Sequence, residues 1–386
     1  MAQNNNDTEN SITELMDKFQ NISQDELIRG NTPTGIEQRC LELCKSYIGG
    51  RWSLAKSVND LKIERISGGF TNQLFHVQLD LKDNTEMVNV PVSVYGKNEP
   101  TDVAIKFYLE KHMKNYNPSD TERLNDTIIL TIMSQLDLGP KIYGIFNDGF
   151  IQGFYKHEQF RAKHQQDPEM VRKLVRLSAQ IANLDIPIYK EPNLLLKEIH
   201  SYLNEIYDQC RLNYWIEECN FKSLKSVDIR TEYENMMKMV DEMNIPNVFV
   251  HYDFRGSNLL VIDSSSSDGS CSKKILACDL EYCGYGSRMF DLACILFEWG
   301  KTDLLDVSVN IPSDEMIASI IQMYIEECDR LVPGYSQQIG NSLDEHVRQC
   351  KVMILVNQMF FTTLIAKQRE SVIPSIPFDA KQQMAS

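Results

Sequence analysis

Residues 248–261 read VFVHYDFRGSNLLV, and after a polar interval residues 275–282 read ILACDLEY. An apolar run leads into Asp253, a short turn carries Asn258, and a second apolar run follows at once. Nineteen residues (260–278) then separate Leu259 from Asp279, which again follows an apolar strand. Two acids and an asparagine are thus set at the ends of neighbouring strands, where side chains reach past a sheet edge. Asp and Asn are also ordinary turn residues, and either half taken alone reads equally well as a turn. Both halves in order, each bracketed by apolar strands, favour a chemical role. The interval SSSSDGSCSKK (264–274) reads as a flexible hairpin tip.

Phosphoryl transfer needs few protein groups: a carboxylate to accept the hydroxyl proton, and hard oxygens to hold magnesium between phosphates. His-x-Asp-x-x-x-x-Asn, followed by a strand and Asp, supplies that set at the spacing of the protein-kinase fold. Asp253 is the expected base, Asn258 and Asp279 the expected metal ligands, and Glu281 a further ligand or an acceptor behind them. His251 reads as support for the turn, because Asp253 is already the closer base.

Working outward, 61–108 has the texture of strands: KIERI, LFHVQL, VNVPVSV and DVAIKFY, broken by Gly, Asn and Asp. RISGGFTNQLFHV is a strand–turn–strand in which Gly68 and Gly69 let backbone approach phosphates, and Thr71 and Asn72 offer donors. Lys106 is a lone cation in an otherwise apolar strand. An unpaired ammonium is costly to bury, so it wants an anion; phosphate is one candidate, and an edge-strand lysine facing solvent is the alternative. Residues 34–48 form a helix stopped by Gly49-Gly50, and 120–136 another, with Leu124, Ile128, Ile132 and Leu136 on one face. The remainder is mainly helical: 170–184, a helix opened by Pro192, and a long final helix capped by Ser342 and Glu345. Residues 1–33, rich in Asn, Gln and Asp, read as a loose arm with a capping box at Ser11 and Glu14. The fold class expected is α+β and bilobal: 34–155 a small antiparallel-sheet lobe, 156–386 a helical lobe with the catalytic and substrate sites.

Composition narrows the partners. The 386 residues carry 39 Lys and Arg against 54 Asp and Glu, a net charge of −15, which argues against nucleic acid and suits a small cation. The ten cysteines form no CxxC pair and read as free thiols of a reducing compartment. The longest apolar stretch near the end, VMILVNQMFF, is too short and interrupted to span a bilayer.

These segments resemble the choline/ethanolamine kinases, which share a protein-kinase-like fold. The resemblance is carried by ISGGFTNQL, DVAIKFY, LGPKIYGIF, VHYDFRGSNLLV and DLEYCGYGSRMFDLACILFEW, in the family's order over roughly 35–370. The last is the most specific, pairing Asp279, Glu281 and Tyr282 with Arg288, Asp291, Glu298 and Trp299. The resemblance implies ATP- and Mg2+-dependent phosphorylation of choline or ethanolamine, the first step of phosphatidylcholine or phosphatidylethanolamine synthesis, by a cytoplasmic homodimer. It implies Asp253 as base; Asn258, Asp279 and Glu281 in the acidic metal site; and Ser67, Gly68, Gly69, Phe70, Thr71, Asn72, Lys106 and Asp126 at ATP. Tyr282, Trp299 and Phe361 would contact the amino alcohol.

Departures from the family pattern are specific. Its His-Asn-Asp is His-Tyr-Asp here, with Tyr252 expected to cost a turn hydrogen bond. The acid paired with the nucleotide cation is the shorter Asp126, and the hinge strand from Gln152 to His157 lacks the usual proline. Two family tryptophans fall on Phe361 and Leu364, and a pocket tyrosine on Asp303, so the aromatic cage is thinner and more acidic. A kinase of the same fold for another small hydroxylated substrate is the second reading, and a catalytically weak regulatory homologue the third.

Overall fold

The computed structural model describes residues 30–66, 72–81, 94–109, 122–191, 194–208, 212–218, 225–265, 271–301 and 311–368. The loop 67–71, the VNVPVSV strand up to 93, the capping box at Ser11, Pro192 and Asp303 lie outside the described residues. The chain divides into two compact units. The first takes its described residues from Met1–His112 and Tyr143–Phe154; the second takes them from Met113–Ile142 and Tyr155–Ser371. The class is the mixed α+β one expected.

In the first unit, helix α1 (Ile36–Tyr47) packs Ile36, Cys40, Leu41 and Cys44 inward, at the spacing of one helical face. It ends at Ile48 and Gly49, whose N–H groups both bond the Cys44 carbonyl, with Gly49 at positive φ. Strands β1 (Leu61–Ile66), β2 (Gln73–Leu79), β3 (Asp102–Phe107), β4 (Ile142–Phe146) and β5 (Gly149–Gly153) form one sheet in the order β1-β2-β3-β5-β4. Trp52, Phe75, Val77, Val103, Ile105 and Ile151 join the α1 face in one core.

Helix α2 (Glu122–Gln135) groups with the second unit, whereas the expected boundary at 155 would place it in the first. Local bonds explain this: the Ala277 N–H donates to the Leu138 carbonyl at 2.9 Å, and a Cβ on Gly139 would lie 3.1 Å from the Ala277 carbonyl oxygen. The second unit continues with β6 (His157–Gln159), α3 (Pro168–Ala182), α4 (Leu194–Asp208), α5 (Ile229–Met243) and β7 (Asn247–Val250). It then runs through β8 (Leu259–Ser265), β9 (Cys271–Ala277), β10 (Gly284–Ser287), α6 (Phe290–Phe297), α7 (Asp314–Leu331) and α8 (Leu343–Gln368). Helix α6 is buried on all sides and packs on α8, which α4 and α7 also cover. Arg288, just before α6, is buried yet satisfied: Nε donates to Gln349 Oε1 (2.7 Å), Nη1 to Asn341 Oδ1 (2.5 Å) and Nη2 to the Gly340 carbonyl (2.7 Å).

The polar interval 264–274 corrects one expectation. Ser264, Ser265 and Cys271–Lys274 continue the β8–β9 ladder, with Ser265 opposite Cys271 and Asp263 opposite Lys273. Ser272 and Lys273 are exposed, so the segment lacks the apolar alternation that marks a strand in sequence. Among the described residues no helix is long and apolar enough to cross a membrane. Cys40, Cys44, Cys278, Cys283, Cys294, Cys328 and Cys350 are free thiols, all but Cys278 buried.

Candidate active site

Strand β7 pairs with β10, Val250 opposite Gly284, and hands the chain to His251. The turn that follows is anchored from below by Asp291, the second residue of α6. Its buried carboxylate accepts the N–H groups of His251 (2.8 Å) and Tyr252 (3.1 Å). Burial pushes the Asp291 carboxyl up to about 6 against the pull of these donors and of His251. His251 is fully buried: Nδ1 accepts the Asp253 N–H at 3.2 Å, which leaves Nε2–H to donate to the Cys278 carbonyl at 2.9 Å. With both nitrogens engaged by main chain, it supports the turn.

Tyr252 sits at φ 64°, a left-handed conformation that Asn adopts more readily than Tyr. The expected loss of a turn hydrogen bond is made good elsewhere, since the Tyr252 hydroxyl donates to the Tyr285 carbonyl at 2.8 Å. Its ring meets Phe290 edge-on at 4.9 Å. A Cβ on Gly286 would lie 2.1 Å from that hydroxyl, so tyrosine here depends on glycine there.

Beyond Tyr252, Asn258 Nδ2 donates to the Asp253 carbonyl (3.1 Å) and to its carboxylate (2.6 Å). Two acceptors on one side fix which way the amide faces and leave Oδ1 as the oxygen for a ligand. The turn closes through Arg255 N–H to Asp253 O and Asn258 N–H to Arg255 O, both 2.9 Å. Gly256 passes so near Phe160 that a Cβ would lie 2.2 Å from its carbonyl oxygen. The ladder pairs Leu259 with Ala277, and the Cys278 N–H donates to the Asn258 carbonyl at 2.9 Å. Asp279 therefore emerges beside Asn258, as the spacing predicts. It holds φ 60°, ψ 60°, a strained geometry for a residue with a Cβ, and opens the single turn Leu280–Tyr282. Glu281 is buried and Tyr282 half-buried, and burial raises the Tyr282 phenol, with Glu281, Asp279, Tyr202 and Asp253 adding to it.

Among the described residues no group of three or more His, Cys, Asp or Glu converges to hold a metal. Asn258 Oδ1 with the Asp279 carboxylate fits magnesium, which takes one or two protein oxygens and fills the rest with phosphate and water.

Arg255 and Glu298, which sequence reading did not single out for the site, lie close by. Arg255 Nη2 is 3.0 Å from Glu298 Oε1, and the guanidinium stands 5.7 Å from the Phe361 ring centre. Phe361 is half-buried and stacks on Phe297 at 5.5 Å. Burial pushes the Glu298 carboxyl up, against the opposing effect of Arg255. Trp299 and Leu364 are half-buried.

The other expected residues are placed separately. Ser67, Gly68, Gly69, Phe70 and Thr71 lie outside the described residues. Asn72 is buried in the first unit, where its Oδ1 accepts the Leu109 N–H at 3.0 Å. Lys106 is half-buried on β3, between Leu74 of β2 and Phe150 of β5. A strand flanked on both sides rules out the edge-strand alternative. Asp126 belongs to the second unit, buried on α2, and accepts from Arg123 Nη1 of the same helix at 3.1 Å.

The family model that matches, choline/ethanolamine kinase, covers residues 63–384. Choline kinase A2 of Caenorhabditis elegans is 26% identical over 77% of this chain and 72% of its own. The choline/ethanolamine kinase of Mus musculus is 25% identical over 68% of this chain, and the match spans 61% of the mouse protein's length. Among solved structures, choline kinase of Cryptosporidium parvum superposes with a TM-score of 0.60 at 18% identity, covering 90% of this chain and 92% of that one. At that identity the likeness shows the fold, which is the protein-kinase-like one expected.

Proposed function

The chain belongs to the choline/ethanolamine kinase family, and on that premise we propose that it transfers the γ-phosphoryl group of ATP to the hydroxyl of choline or ethanolamine. The observation that carries the reading is the turn in which Asn258 holds the Asp253 carboxylate while Asp279 emerges alongside. Asp253 accepts the proton of the acceptor hydroxyl as its oxygen attacks phosphorus. The Asn258 hydrogen bonds hold that carboxylate in one orientation, and His251 and Asp291 fix the turn beneath it. Asn258 Oδ1 and Asp279 would hold Mg2+, with Glu281 a further oxygen beside them. Bound there, the ion would offset charge on the phosphates. Lys106, Asn72 and the 67–71 loop are assigned to ATP, with Asp126, and Tyr282, Trp299 and Phe361 to the amino alcohol. A place at the head of phosphatidylcholine or phosphatidylethanolamine synthesis, a homodimeric state and a cytoplasmic location come from the family likeness and complete the proposal.

The test is transfer of labelled phosphate from ATP to a panel of amino alcohols, with and without magnesium. Magnesium-dependent formation of phosphocholine or phosphoethanolamine is expected. ATP turnover with no phosphorylated amine from any member of the panel would sink the reading.

A further inference from the structure

An acceptor must bring its hydroxyl to the Asp253 carboxylate, so its ammonium head lies against the groups surrounding that acid. Two residues along the same loop stands Arg255, its Nη2 3.0 Å from Glu298 and its guanidinium 5.7 Å from the Phe361 ring centre. The side chains of Arg255 and Glu298 are only 15% and 16% exposed, and Arg255 Nε is buried without a hydrogen-bond partner. The Asp253 charge acts on both. The two features that would draw a substrate cation to this wall, an aromatic face and a buried carboxylate, are therefore both engaged by a cation of the chain itself. A neighbouring ring repeats the pattern: Lys367 Nζ lies 4.2 Å from the Tyr202 ring centre and 2.8 Å from Glu205, and Tyr202 stacks on Phe360.

We propose that Arg255 is a specificity-determining residue that takes the place of a quaternary ammonium on Phe361 and Glu298, and so selects against choline in favour of acceptors with an N–H-bearing amine. The proposal rests on the amino-alcohol kinase reading of the site. A trimethylammonium head has no N–H and binds through ring faces and charge alone. To use Phe361 it must displace a guanidinium already paired with Glu298. A primary ammonium is smaller and donates to carbonyls and carboxylates elsewhere in the pocket, so it loses less.

The experiment is calorimetric titration of choline and of ethanolamine into the full-length protein, its Arg255→Gln and its Arg255→Lys forms. Calorimetry reads binding even where a change beside Asp253 lowers turnover. Arg255→Gln is expected to tighten choline by about tenfold and ethanolamine by no more than about threefold, the scale of one recovered cation–π contact. Arg255→Lys keeps the charge and stays near the parent. Pairing Arg255→Gln with Glu298→Gln leaves no lone buried charge. It covers the case in which the single variant fails to fold, and choline is expected to tighten there too. Tight choline binding by the parent that neither glutamine form changes, or equal shifts for both amines, would overturn the assignment of Arg255 alone. Failure of every form to bind either amine would overturn the kinase reading with it.

Discussion

Asn258 donates its side-chain N–H to the Asp253 carboxylate at 2.6 Å, so the expected base is held by the residue expected to hold the metal. The two roles are coupled through one amide. Asp253→Asn keeps the size and loses the proton acceptor. It is expected to leave the melting temperature within a few degrees of the parent while lowering kcat by about 10²–10⁴-fold, the usual range for a general base. Steady-state kinetics on the folded variant check this, and near-parental kcat would remove Asp253 from the mechanism.

Asp279 is the carboxylate of the pair, and it contributes charge that Asn258 does not. In Asp279→Ala the difference between ATP affinity with magnesium and without it should collapse, because Asn258 offers only a neutral amide oxygen and Glu281 is a further oxygen beside the pair, not a substitute for it. Titrating ATP at fixed and at chelated magnesium measures it. A variant that keeps the parent's magnesium dependence would move the metal elsewhere.

Tyr252 and Gly286 form a dependent pair, since a Cβ at 286 would fall 2.1 Å from the Tyr252 hydroxyl. Gly286→Ala must push that hydroxyl off the Tyr285 carbonyl, a crowding change expected to cost about 1–3 kcal/mol. In a Tyr252→Asn background the three atoms nearest the added methyl, all of the Tyr252 ring and hydroxyl, are gone, so the same change should cost less. Urea unfolding of the four proteins gives the coupling, expected at about 1 kcal/mol or more. Additive effects would mean that the Tyr252 ring does not lie over Gly286.

The turn that carries Asp253 and Asn258 is legible in the sequence for a physical reason. Its residues sit between apolar strands and on a ladder whose register, Leu259 with Ala277, is set by local alternation. Spacing along the chain therefore carried over into proximity. Asp291 was not legible as an anchor, although a lone acid in the apolar helix FDLACILF is a signal of buried pairing. Its partners are the main-chain N–H groups of His251 and Tyr252, some forty positions earlier, and no side-chain pattern encodes them. The Arg255–Glu298 pair escaped for a different reason: its members lie on a turn and just beyond the end of a helix, where no periodicity relates one side chain to the other. The ends of the 264–274 interval, 264–265 and 271–274, belong to a ladder that composition does not announce, because an exposed ladder needs no apolar face. Helix α2 groups with the second unit, on the other side of the expected boundary at 155, and periodicity alone does not say where it goes, since it gives a buried face and not the body that buries it.

Two buried groups titrate in opposite senses, and this gives the last prediction. Burial holds the Asp291 carboxyl at about 6, against an ordinary value of 3.8, so between those limits the folded protein keeps a proton that the unfolded chain has lost. Its contribution is present below pH 3.8 and is lost as the pH rises through about 6. His346 is buried, with Nε2 2.8 Å from the Tyr335 hydroxyl and Nδ1 2.9 Å from the Ser342 carbonyl. Burial first, and the Arg288 charge after it, lower this imidazole from 6.5 to about 4. Its contribution is present above pH 6.5 and is lost as the pH falls through about 4. Each amounts to roughly 3 kcal/mol by linkage, so the two largely cancel between pH 6 and 4. His346→Gln removes one side of the balance, and its stability deficit relative to the parent should shrink on acidification. Asp291→Asn removes the other, and its deficit should grow. Urea midpoints at intervals from pH 7 to pH 4 separate these slopes from any constant loss of packing. Deficits that stay constant with pH in both variants would show that neither group titrates in this range when folded.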